Sequence, residues 1–135
     1  MFFYQLLIIP ATAAIIAQGI KLATDKIKGN FTWHHLIHDY GGMPSSHSAF
    51  VSSLAAEIGF TQGFNSAIFV FALVFAIIVI RDASGLRNYL SKANHEINKL
   101  NNNNNLNEKI GHKRTEILIG CILGIAIAAI GVYLM

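Results

Sequence analysis

Residues 112–135 read HKRTEILIGCILGIAIAAIGVYLM, and from Ile117 to Met135 they carry no charged side chain. An α-helix rises 1.5 Å per residue, so about 20 apolar residues cross the hydrocarbon of a bilayer. Two more stretches, Phe2–Ile20 and Phe64–Ile80, approach that length. A fourth, Ser45–Phe60, is shorter and holds five serines and Glu57. It reads as a helix buried among the others rather than facing lipid. Composition agrees: the 135 residues are 53% hydrophobic and only 13% charged, with a mean hydropathy of +0.49. A soluble domain carries about 25% charged residues. The expected fold is therefore all-α: an integral membrane bundle of four transmembrane helices in a single domain. The helices are expected at about 2–20, 45–60, 64–90 and 113–135. The third is expected to run past Ile80 to near Leu90, since no proline interrupts it. Around Asn101–Asn105, a low-complexity Asn-rich segment of about 94–109 lacks apolar residues and reads as a mobile loop.

Phe2–Ile20 makes a poor signal peptide, because no basic residue precedes it and Gln18 and Lys21 follow where cleavage would fall. Pro10 predicts a kink rather than an end, since neighbouring helices can satisfy the freed carbonyl. The single Cys121 suits a small packing residue and has no internal disulfide partner. The ten Lys and Arg residues divide between two connections. Lys21, Lys26 and Lys28 lie in the first; Arg81, Arg87, Lys92, Lys99, Lys109, Lys113 and Arg114 lie between the third and fourth helices. Thr61-Gln62-Gly63, between the second and third, has none. Four crossings put both basic connections on one face, and the positive-inside bias makes that face cytoplasmic, with both termini outside. Such a face attracts anionic lipid headgroups, and no nucleic-acid partner is expected.

Small residues recur at helical spacing. His112, Glu116, Gly120, Gly124 and Ala128 fall every fourth residue and share one face. Ser45, Ser48, Ser52, Ala56 and Gly59 give the second helix a comparable face. Packing the two faces allows close backbone approach. It also sets the starts of both helices side by side, so that His47 and His112 flank one pocket. Helix N-termini offer free N–H groups and a positive dipole end to an anion. Histidine adds a group that titrates near neutrality. Helix packing alone explains the small residues, but not an acid and a histidine at the same end of the same stripe.

Pro44-Ser45-Ser46-His47 resembles the Pro-Ser-Gly-His motif of the type 2 phosphatidic acid phosphatases and vanadium haloperoxidases. His112-Lys113-Arg114-Thr115-Glu116 resembles the His-x-x-x-Asp end of that superfamily's last motif. Three segments look more closely like the superfamily's divergent branch of small bacterial and plant membrane proteins. They are Gly41-Gly42-Met43-Pro44-Ser45-Ser46-His47-Ser48-Ala49, Arg81-Asp82-Ala83-Ser84-Gly85-Leu86-Arg87 and Gly111-His112. The resemblance covers the chain from Gln18-x-x-Lys21 to the fourth helix. It implies that His112 attacks phosphorus to form a phosphohistidine, that Glu116 holds its tautomer, and that His47 protonates the leaving alkoxide. Ser45, Ser46 and nearby backbone N–H groups would hold the phosphoryl oxygens. The scheme needs no metal and no cofactor, and vanadate or phosphate is the expected site ligand.

Four departures from the superfamily pattern bear on this. Lys-x6-Arg-Pro is absent: Lys21 is followed seven residues on by Lys28, and no Arg-Pro occurs. Leu106 stands where an arginine six residues before the nucleophile belongs. Ser46 replaces glycine, and Glu116 replaces aspartate. Cations neutralising the transferring phosphoryl group are usually the largest catalytic term. Arg81, Arg87 and Lys21 are the expected substitutes, while Lys113 and Arg114 read as positive-inside anchors. Asp82 is expected to form a salt-bridged helix end, with an accessory role in orienting a cation or helping to hold a metal as the alternative. Glu57 reads as a neutral or hydrogen-bonded membrane glutamate, or else as part of a proton or ion pathway. His34, His35, His38 and Asp39 have the spacing of a weak metal site, but Trp33 and Tyr40 suit an interfacial segment equally well.

The resulting expectation is a lipid phosphatase of a bacterial plasma membrane, with its site on the cytoplasmic face and a phosphate monoester or pyrophosphate as substrate. The rivals are a catalytically degenerate protein that binds anionic lipid or a partner, and a small transporter or flippase component. Six helices are usual in the superfamily's membrane enzymes, so two copies of a four-helix chain are expected to associate as a homodimer.

Overall fold

The computed structural model describes residues 4–27, 43–100 and 105–135. Its helices are α1 (Gln5–Ile27), α2 (Ser46–Gln62), α3 (Ala67–Ser84), α4 (Leu86–Leu100) and α5 (Arg114–Leu134), and no strand occurs among the described residues. α1, α5 and the stretch from Ala67 to Leu100 are long and apolar enough to cross a membrane. The shorter α2 packs against α1, α3 and α5 and forms the centre of the bundle.

Burial follows the logic of a protein whose solvent is hydrocarbon. α3 turns Phe71, Phe75, Ile77 and Ile78 outward and buries Ala72 and Ala76. α5 exposes Leu118, Ile122, Ile125 and Ile130 and buries Gly120, Gly124 and Ala128. Moving a large apolar side chain from lipid to the interior gains little. Small residues therefore go inside, where close backbones make the van der Waals contact. On α1 the buried stripe is Ile9, Ala13, Ala17 and Lys21, and the helix runs through Pro10 without ending, as the sequence predicts.

α2 is buried on almost every side and meets α5 along the predicted seam. A Cβ on Gly120 would stand 2.5 Å from the carbonyl oxygen of Ser45, and one on Gly124 would collide with the carbonyl of Ala49 and Oγ of Ser52. Ser52 Oγ donates to the Ser48 carbonyl at 2.6 Å and lies 3.3 Å from the carbonyl of Cys121, which is half-buried beside it.

Three expectations need correction. α1 does not end near Ile20 but runs to Ile27, so Lys21 and Lys26 lie on the helix rather than in the first connection. The third helix does not continue to Leu90 unbroken: α3 ends at Ser84, and Gly85, at φ −109° and ψ −82°, separates it from α4. Nor are residues 94–100 a loop, since they form the last turns of α4. Residues 105–113 then return along α4, bonded to a polar row on that helix. Asn98 grips both backbone groups of Leu106, at 2.9 and 3.1 Å, and Asn94 donates to the Asn107 carbonyl at 2.6 Å. Ser91 Oγ accepts from the N–H groups of Ile110 and Gly111, at 3.0 and 3.1 Å. An asparagine amide is both donor and acceptor, so it matches bare backbone as well as water does. Outside the bundle, Glu108 is held below the usual carboxylate range by a hydrogen bond from Asn98 and then by His95. Residues 101–104, and the first connection with His34, His35, His38 and Asp39, lie outside the described residues.

Candidate functional site

α2 and α5 begin side by side. The N–H of Ser45 donates to the carbonyl of Glu116 at 3.2 Å, which ties the cap of one helix to the first turn of the other. Ser45 is the N-cap of α2, and its Oγ accepts from the N–H of Ser48 at 3.3 Å and lies 3.0 Å from the Ser48 hydroxyl. Ser46 opens the helix, half-buried, and His47 follows in its first turn.

At the start of α5, one carboxylate oxygen does two things. Glu116 Oε2 accepts from the Lys113 N–H at 3.0 Å, capping the helix, and lies 3.2 Å from Nδ1 of His112. This contact favours the tautomer with its proton on Nδ1, leaving the lone pair of Nε2 for chemistry. The backbone of His112 is fixed as well: its N–H donates to the Ala83 carbonyl at 3.2 Å, and its carbonyl accepts from Asn88 Nδ2 at 3.1 Å. The residue is only 2% exposed.

His47 completes the convergence. Its Nδ1 is buried and has no hydrogen-bond partner among the described residues. Arg87, His112, Lys21 and Asp82 all lie close enough for their charges to act on it. Arg87 reaches this position from the first turn of α4, with its Nε held by Asp82 Oδ2 at 2.8 Å. Lys21 closes the buried stripe of α1 and is 5% exposed. Arg87 and Lys21 thus bring positive charge within electrostatic reach of His47, the setting a phosphoryl group requires.

Of the residues read from the sequence, His47, His112, Glu116, Ser45, Arg87, Lys21 and Asp82 come together at one end of the bundle. Arg81 does not join them: it is exposed and is not among the charges acting on His47. Lys113 and Arg114 are exposed as well. Leu106, at the position of the superfamily's arginine, is bonded to Asn98. Asn98 stands ten residues beyond Asn88, or about 15 Å along α4. That position is remote from the histidines, so cations have to come from elsewhere. Asn88, Ser91 and the carbonyl of Ala83 were not legible as site residues. The available signal was the spacing of Asn88, Ser91, Asn94 and Asn98, which repeats every three or four residues along one face. No group of three or more His, Cys, Asp or Glu suited to a metal occurs among the described residues.

The family described as the Divergent PAP2 family matches residues 3–127. The chain belongs to that family. The match takes in both histidine segments, the seam glycines and the polar row of α4. A protein of Bacillus subtilis (strain 168) described as the uncharacterized membrane protein YuiD is 30% identical to this divergent PAP2 protein over 141 aligned residues, covering 90% of the present chain and 89% of YuiD. No solved structure matches it.

Proposed function

We propose that this divergent PAP2 protein is a membrane-bound lipid phosphatase that works through a phosphohistidine. The observation that carries the reading is the His112–Glu116 pair at 3.2 Å, set beside His47 and the cations Arg87 and Lys21. Nε2 of His112 attacks phosphorus as the bond to the ester oxygen breaks. His47, protonated, delivers its proton to the leaving alkoxide. Glu116 stabilises the positive imidazole that forms, while Arg87 and Lys21 neutralise the phosphoryl oxygens. In the second half-reaction His47, now neutral, takes a proton from water. The hydroxyl adds to phosphorus, the N–P bond breaks, and inorganic phosphate leaves with His112 restored. Vanadate, which adopts the five-coordinate shape of the transferring group, is the expected inhibitor.

The distribution of Lys and Arg supports a site facing the cytoplasm of a bacterial plasma membrane. The substrate class is then a phosphate monoester or pyrophosphate of an inner-leaflet lipid, such as phosphatidic acid, phosphatidylglycerophosphate or a polyprenyl phosphate. A second reading, lipid-phosphate binding without turnover, draws on the 2% exposure of His112. Phosphate release by the purified protein in detergent, across a panel of these lipids, separates the two. Turnover abolished by His47→Ala and by His112→Ala, with folding intact, supports the phosphatase. Saturable binding with no release from any lipid supports the second reading.

A further inference from the structure

Ten residues beyond His47 on α2, Glu57 is fully buried. Neither of its carboxylate oxygens has a hydrogen-bond partner among the described residues, and nor does Oγ of Ser53 one turn earlier. Positions four apart share a helix face, so three bare oxygens line one side of α2. Among the described residues, no charged side chain of α1, α3 or α5 acts on Glu57. Lys21, the buried cation of α1, acts on His47 at the other end of the bundle.

Ser53 is unusual among its neighbours. A helical hydroxyl ordinarily donates to the carbonyl four residues back. Ser52 does so to Ser48 at 2.6 Å and Thr61 to Glu57 at 2.7 Å, whereas Ser53 does not. α1 carries one backbone oxygen whose helical donor is missing. Pro10 has no N–H, so the carbonyl of Leu6 loses its helical donor. Ile9 packs with Ala56, and Ala13 and Ala17 with Ala49, which sets the fully buried Pro10 at the height of Ser53 and Glu57.

A bare carboxylate in a lipid-solvated core is costly. A carboxylate that no donor reaches, beside an unpartnered hydroxyl whose oxygen keeps its lone pairs, is complementary to a cation. One carboxylate balances one positive charge, and a divalent ion would leave a net charge in the interior. We propose that Glu57, Ser53 and the Leu6 carbonyl form an intramembrane site for one alkali cation, Na+ being the probe. Gln62, at the end of α2, is five residues away, or about 8 Å along the helix, so the site lies near the face opposite His47. This site does not depend on the phosphatase reading.

Thermal unfolding of the purified full-length chain in detergent tests it, with NaCl exchanged for choline chloride at constant ionic strength and pH. The wild type should gain melting temperature saturably with Na+. Glu57→Gln should be flat across the same series, and Ser53→Ala should raise the half-saturating concentration severalfold. If Glu57→Gln fails to fold, equilibrium binding of radioactive Na+ to the wild type and to Ser53→Ala decides the question. Equal melting of the wild type in the two salts overturns the site, as does a Na+ response retained in Glu57→Gln. Stabilisation of the wild type by acid but not by Na+ also overturns it, and assigns the neutralising charge to a proton on Glu57.

Discussion

The N–H of Ser45 and the carbonyl of Glu116 are joined at 3.2 Å, so the segment that presents His47 and the turn that orients His112 form one unit. Residues far apart in the chain meet because two runs of small residues let the backbones of α2 and α5 close on each other. Packing and chemistry therefore share the same residues: the stripe that sets the helix spacing also ends in the Glu116–His112 pair.

The seam gives the first prediction. Gly120→Leu forces a side chain against the Ser45 carbonyl, which belongs to backbone and cannot swing aside. Overpacking of this kind costs about 1–3 kcal/mol or more. Its thermal unfolding in detergent should shift down by several degrees, whereas Ile119→Leu, on the exposed face of the same helix, should leave it unchanged.

Glu116→Gln retains an oxygen to accept from the Lys113 N–H but loses the charge that stabilises the imidazolium of His112. Phosphate release should fall by about 10²–10⁴-fold while the melting temperature moves little. A Gln variant with near-normal turnover would remove Glu116 from the mechanism.

Much of this arrangement was legible in the sequence. The stripe from His112 to Ala128 and the row from Ser45 to Gly59 gave the seam, and with it the meeting of the two histidines. Asp82 reads as a salt-bridged helix end, and it pairs with Arg87 at 2.8 Å. The return segment was not legible. Asn94 and Asn98 looked like part of a solvated spacer because they lack apolar surface, yet their amides hold a neighbouring backbone. Composition measures what a segment can bury and is blind to what its amides can bond. Arg81 and Arg87 were equal candidates by position. The structure separates them: Arg87, on the first turn of α4, acts on His47, while Arg81, on α3, is exposed.

Asn88 carries the third prediction. Its Nδ2 donates to the carbonyls of Ser84 and His112, at 2.7 and 3.1 Å, and so fastens the residue to the junction of α3 and α4. Asn88→Ala should speed amide hydrogen exchange at Ile110 and Gly111 and lower turnover, with the remaining helices protected as before. Unchanged exchange there would mean that Ser91 alone holds the segment.

Orientation is the fourth. In a Cys121→Ser background, Asn103→Cys should react with an impermeant thiol reagent only from the cytoplasmic side, and Gln62→Cys only from outside. The reverse pattern would move the histidines to the outer face and replace inner-leaflet substrates with outer-leaflet ones.

Trapping the covalent intermediate tests the central claim most directly. The purified protein is mixed with phosphatidic acid labelled in its phosphate and quenched in alkaline detergent, where a phosphoramidate survives. The expected result is label on the chain that is lost on mild acidification, maps to His112 and is absent from His112→Asn, which also releases no phosphate. Phosphate release by His112→Asn at the wild-type rate, or an acid-stable label at another residue, would contradict the claim.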